Sequence, residues 1–327
     1  MITLSCIQRM SFCNEPPPRV ASRLSASLVI SGLLGLGTGC QSLKHAASSS
    51  VADMLAQGGT VFASDEDPEL VRQAVPFSLK LMESVLADNP THAGLLEATA
   101  ASFTQYAYAF VLEDADELEA KDFAAAEQQR LRARKLFLRA HAYALRGLEC
   151  AHPGFGERLA SNPKAAVAEL GVRETGLAYW GAASLGAAIS VGKDDPSLIA
   201  KLPQMEALVD RALAMDQSWG AGAIHGLLIS YEAQRQGGVG SAAERALGHY
   251  RAALALSSGS QASPHVSYAE AVCVEAQDLK GFEQALQAAL AVDVSRRPEW
   301  RLANEVMQRR ARWLLSRKAD LFLKAGN

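Results

Sequence analysis

Aromatic residues supply only 6% of this 327-residue chain, and glycine and proline are modest at 25 and 12 positions. Strands draw on aromatic and β-branched side chains, so the chain is poorly provisioned for a sheet-built core. Alanine and leucine recur instead in nearly every segment, and both sit in helices at little entropic cost. With 49% hydrophobic residues there is material for a sizeable core, and an all-α fold follows. Cysteine is scarce: Cys6, Cys13 and Cys40 lie near the start, and Cys150 and Cys273 stand alone, 123 positions apart. That spacing offers no disulfide framework and no metal site, and both read as independent small apolar residues. Basic excess is missing as well. The formal net charge is −3, and without residues 1–39 the balance is 29 basic against 34 acidic residues. A mildly acidic chain is a poor partner for nucleic acid.

Catalytic signatures are also missing. There is no G-x-S-x-G, H-E-x-x-H, C-x-x-C or Walker pattern. Ser161-Asn-Pro-Lys164 fits S-x-x-K but lacks the companion S-D-N and K-T-G, and reads as a helix-starting turn. The acidic run Glu113 to Glu117 has neither the glycine nor the terminal glutamate of a calcium loop, and reads as a helix start with carboxylates at its positive end. No enzyme, metal or cofactor is called for.

The longest apolar run near the start, Leu24 to Leu36, is too short to span a bilayer comfortably. Arg9, Arg19 and Arg23 precede it and Gly37-Thr38-Gly39-Cys40 closes it, as in an export signal. The close on cysteine resembles the lipobox of bacterial lipoproteins, although Gly37 stands where leucine is usual. On that resemblance residues 1–39 are a signal peptide, Cys40 carries lipid, and Gln41 after it implies the periplasmic side of the outer membrane. Small polar residues to Ser50 then read as a tether, and 51–327 as one helical domain.

Asp65-Glu66-Asp67-Pro68 caps a helix with apolar positions Leu70, Val71, Ala74, Leu79, Met82 and Leu86. A long helical segment is expected over Asp116–Glu149. Helix ends are marked at 86–90, 148–153, 213–219, 254–259 and 290–294. Each resembles the close of a tetratricopeptide (TPR) helix pair, at irregular spacing. The expectation is a degenerate TPR-like helical-repeat superhelix with a concave inner surface or cavity. Small residues Ala178, Ala182 and Gly186, and again Gly222 and Gly226, form stripes on which another helix can approach.

Three segments in constant order carry a closer resemblance: Tyr179–Asp195, Trp219–Glu232 followed by Ser263–Glu270, and Arg301–Leu315. They resemble the T component associated with TRAP (tripartite ATP-independent periplasmic) transporters. The resemblance implies a partner for a periplasmic solute-binding component and a small homo-oligomer, a trimer, enclosing pores or cavities. The alternative is a TPR-like envelope scaffold without a small-molecule ligand.

On Leu302–Leu321, Arg310 and Arg317 fall inside the apolar stripe with Trp313, while Arg301, Gln308 and Arg312 fall outside it. The two arginines either pair with carboxylates of a neighbouring helix or hold the carboxylate of an organic acid. His225 either packs against a carboxylate, with Glu232 two turns on, or contacts a ligand. Trp219 and Tyr231, like Trp180, Tyr106 and Tyr108, suit core and cavity alike.

Overall fold

The computed structural model describes residues 39–323, with side chains from Ser48; the leader and the lipid expected on Cys40 lie outside what is described. Among the described residues every regular element is helical. The first, α1 (Gly39–Gln57), runs through the stretch expected as a tether. Its alanines tolerate a helix, and the helix finds partners: Ala52 is buried with Met82, Leu86, Leu95 and Leu96, and Asn89 Nδ2 donates to Ser48 Oγ. After Gly58 and Gly59 comes a single turn, α2 (Thr60–Ala63).

The next helix, α3 (Pro68–Asp88), begins as read: Asp67 Oδ1 accepts from the amides of Glu69 at 2.9 Å and Leu70 at 3.0 Å. Val71, Leu79, Met82 and Leu86 are buried, whereas Leu70, expected on that face, joins Phe77 and Leu81 on an exposed outer stripe. His92 caps α4 (Ala93–Ala107) through Nδ1. The chain then continues without a break through a π-helical stretch, Tyr108–Leu112, into α5 (Glu113–Leu118). The acidic run is therefore not a helix start. The long segment expected over 116–149 is interrupted at Glu119–Asp122, where Asp122 caps α6 (Phe123–Ala151).

Asn162 caps α8 (Pro163–Ala168) directly after α7 (Phe155–Ser161), so the S-x-x-K stretch is the helix-starting turn it resembled. Then come α9 (Thr175–Val191), α10 (Pro196–Ile199), α11 (Leu202–Met215), α12 (Trp219–Glu232) and α13 (Ala242–Leu256). A second π-helical stretch, Ala269–Cys273, extends α14 (Ser263–Tyr268), and α15 (Leu279–Leu290), α16 (Arg301–Ser316) and α17 (Lys318–Leu321) complete the chain. All five sequence signals for helix ends fall at the ends of α3, α6, α11, α13 and α15.

The small-residue stripe of α9 is part of a larger fact. From Thr175 to Ile189 this helix is buried on every side, against α4, α6, α11 and α12. His141 of α6 donates from Nδ1 to the Gly181 carbonyl at 2.9 Å, which leaves a neutral ring in an apolar setting. Burial brings its pKa down to about 4. The folded chain refuses a proton that the unfolded chain accepts near pH 6.5, so this contribution is complete above that value and is lost as pH falls toward 4, about 3 kcal/mol in all. As pH falls across that window, the denaturation midpoint of the wild type should drop relative to that of His141→Gln.

The second stripe needs correction. Gly220, Ala221 and Gly222 have φ of 58°, 50° and 93°, so regular helix in α12 starts after them. A side chain on residue 222 would meet the Ala253 Cα at 3.1 Å. Glycine is needed there for a left-handed turn against α13, not for helix-on-helix approach. Helices distant in sequence also meet: α1 packs on α4, α8 on α11, and α16 returns to pack on α2 and α3.

Candidate functional site

Arg310 is 1% exposed. A guanidinium survives such burial only with partners to replace its water, and three carboxylates supply them. Glu270 Oε1 accepts from Nε at 3.1 Å and Nη2 at 2.6 Å, while Nη1 donates to Asp116 Oδ2 at 2.8 Å and Glu113 Oε2 at 3.2 Å. Trp313 stacks beneath, its centroid 4.4 Å from the guanidinium carbon. Three acids around one cation is an unbalanced set. Burial raises Glu113 to about 7 against the pull of Arg310, and burial likewise raises Glu270. At neutral pH the cluster shares protons as well as charge.

The two π-helical stretches explain how these acids come to face inward. Each inserts an extra residue into the helical turn, with Tyr108 inside the first and Glu113 directly after it, and Glu270 inside the second. A regular 3.6-residue projection misses that shift. The acidic segment is held by other arginines too: Arg72 of α3 pairs with Asp114. Arg130 of α6 reaches Glu119 at 2.9 Å, and Arg309 of α16 reaches Glu117 at 2.8 Å. Sequence reasoning missed Glu113, Asp116 and Glu270 as partners; the doubled arginine at 309–310 against a run of five residues with four acids was the available signal.

Beside the cluster lies an apolar cavity of 160 Å³, lined by Tyr108 and Phe110, by Leu302, Val306 and Met307 of α16, and by α3. Leu55, Gly58, Gly59 and Phe62 roof it, and Ser78, Ser102 and Gln105 supply its few polar groups. An apolar cavity of this size accepts a ring or a short hydrocarbon stretch.

The other residues singled out in the sequence fall into separate groups. Arg317 pairs with exposed Asp320 at 2.9 Å and lies 5.9 Å from the Trp313 centroid, a surface arrangement. Gln308, expected outside, is buried and donates to the carbonyls of Ala289, Leu290 and Val292, tying α16 to the end of α15. Trp219 packs 4.7 Å from Tyr179 and 6.3 Å from Trp180. Tyr231 donates its hydroxyl to Glu206 under Arg235. His225 does not use a carboxylate: its Nδ1 meets His249 Nδ1 at 2.8 Å, while Glu232 is taken by Arg235 at 3.0 Å and Arg245 at 2.5 Å. One imidazole must present its N–H and the other its lone pair. Burial, then the neighbouring ring, lowers His225 to about 4. Cys150 is exposed, Cys273 buried, and both are free.

No helix among the described residues is long and apolar enough to cross a membrane. In comparisons with known proteins, residues 64–322 match the TRAP transporter T-component family. An uncharacterized protein of Treponema pallidum (strain Nichols) is 32% identical over 267 residues, 80% of this chain and 83% of that protein. The chain belongs to the TRAP transporter T-component family, a transporter accessory component rather than an enzyme family, and membership implies a role in a TRAP transport system.

Proposed function

We propose that the chain docks the periplasmic solute-binding component of a TRAP system and receives the apolar part of its organic solute in the cavity beside Arg310. The observation that carries this reading is a narrow apolar cavity, with a few hydroxyl and amide groups, in a member of a transport family. Its volume suits a hydrocarbon portion rather than a whole solute. The Arg310 donors are spent on internal acids, so in this reading Arg310 shapes the wall and the hydrophobic lining meets the solute. Arg317, His225, Trp219, Tyr231 and Trp313 are kept as partner- or cavity-side candidates.

For docking we assign the exposed stripe of α3, where Phe77 is 75% and Leu70 56% accessible. Contiguous apolar surface of this kind marks an interaction site. Export through residues 1–39, a lipid on Cys40, an outer-membrane position in the periplasm, TPR-like repeats and a homo-oligomer, a trimer, complete the proposal. Native mass spectrometry of the chain, alone and with the solute-binding component encoded beside the TRAP permease, tests it. A discrete homo-oligomer that takes up the component is expected, and Phe77→Glu should weaken uptake by about tenfold or more, as loss of a central aromatic anchor does. A monomer indifferent to that component would sink the reading and leave an envelope scaffold in its place.

A further inference from the structure

A second, polar groove of 780 Å³ lies between the turn at Lys193, the loop 233–240, the first turns of α13 and the second π-helical stretch. Tyr108 lines the apolar cavity and Glu270 lines this groove, so the Arg310 cluster links the two. Its volume falls in the range of small-molecule sites. The groove is charged but unevenly committed. Arg235 is engaged by Asp210 at 2.6 Å and Glu232 at 3.0 Å. Arg245 is engaged by Glu232 and by the carbonyls of Gly240 at 3.0 Å and Arg235 at 2.9 Å. These two arginines hold the loop in place and have little to offer a visitor.

Three other side chains do. Among the described residues Lys193 and Glu275 are exposed and have no ion-pair partner. Glu270 gives one carboxylate oxygen to Arg310, while the other, Oε2, is buried without a hydrogen-bond partner. A buried acceptor without a donor carries the full cost of its lost hydration, and the groove that Glu270 lines is the route by which a donor can reach it. Two acids and one lysine are thus left to complement something that carries a positive and a negative end.

We propose that this groove binds a small organic solute bearing both a primary ammonium and a carboxylate, with Glu270 and Glu275 taking the ammonium and Lys193 the carboxylate. A purely anionic solute brings a further negative charge toward Glu270, Glu113 and Asp116 and is repelled. A purely apolar one leaves the orphaned oxygen unsatisfied. The site is distinct from the apolar cavity, and its failure would leave the docking reading untouched, since that reading is tested by uptake of a protein component.

Isothermal titration of the full chain at low ionic strength with γ-aminobutyrate, butylamine and butyrate tests the assignment. These probes share a hydrocarbon chain and differ only in their charged ends. The expected order is γ-aminobutyrate, then butylamine, with no heat from butyrate. Glu270→Gln should weaken both amines by about tenfold or more, the worth of one charge-assisted hydrogen bond. Lys193→Met should bring γ-aminobutyrate down to the level of butylamine and leave butylamine unchanged. If Glu270→Gln disturbs the fold, Lys193→Met and Glu275→Gln, both exposed, carry the test alone. Butyrate binding as well as γ-aminobutyrate, no binding of any probe at millimolar concentration, or affinities unmoved by these substitutions would overturn the proposal.

Discussion

Arg310→Met should lower stability by about 3–5 kcal/mol in urea denaturation, the cost of stranding buried carboxylates without their cation. Methionine keeps much of the arginine stem against Trp313, so the loss reports charge rather than volume. The Glu270 and Glu113 side chains are only 8% and 4% exposed on either side of the guanidinium, so little water reaches them when the arginine goes. In the absence of another cation each is then relieved mainly by taking up a proton. Removing the acids together with the arginine, as in Arg310→Met with Glu270→Gln and Glu113→Gln, should recover more than half of the loss, because an apolar or amide replacement of a whole ionic group is often tolerated. A single-variant loss below about 1 kcal/mol would mean the cluster is far better hydrated than its geometry indicates.

Glu97→Gln should make the chain more stable above neutral pH, by about 2 kcal/mol near pH 8, and should make no difference near pH 4. The carboxylate of Glu97 lies where a side chain on Gly176 of α9 would begin, so glycine there makes room for it. It has no ion-pair partner among the described residues, and burial raises its pKa from 4.5 to about 7. Because the folded chain keeps a proton that the unfolded chain releases, this contribution is complete below 4.5 and is lost as pH rises through 7. Glutamine does not titrate, so the difference between variant and wild type should open across that window alone. The full shift corresponds to about 3 kcal/mol, reduced here because the side chain is partly accessible to solvent. His141 acts in the opposite sense, so the two contributions offset each other between about pH 4.5 and 6.5 and together leave a flat, mildly acidic maximum. Equal melting temperatures of wild type and Glu97→Gln at every pH would show that the carboxyl is solvated.

Much of this fold was legible because helices announce their ends. Asp67-Pro68 and the turn at Ser161–Lys164 are helix starts that sequence alone displays, and the five closing signals each coincide with a helix end, whereas the cap at Asp122 was hidden inside an expected long helix. The anomaly of Arg310 on an apolar stripe was legible too, and its resolution is the bland alternative of internal pairing. What could not be read was who its partners are. Glu113 and Glu270 turn inward only because π-helical stretches shift the register, and no periodicity count registers a single inserted residue. His225 finds His249 through packing of α12 on α13, not through spacing on its own helix. Gln308 looked external because its polarity was counted, whereas the orphan carbonyls at the end of α15 give it a buried role. Gly222 looked like a packing glycine because backbone sign is invisible in a string of letters.

Most contacts here join neighbours in sequence, but those from Arg309 and Arg310 to residues 113–117 span 192 to 197 positions. Closing so long a loop is slow and entropically unfavourable, and it must wait until α16 exists. A growing or threading chain can therefore assemble its helix pairs early while the wall shared by cavity and groove stays open. Only arrival of α16 seals it, so C-terminal truncation before Arg309 should leave the remaining helices without a closed compartment.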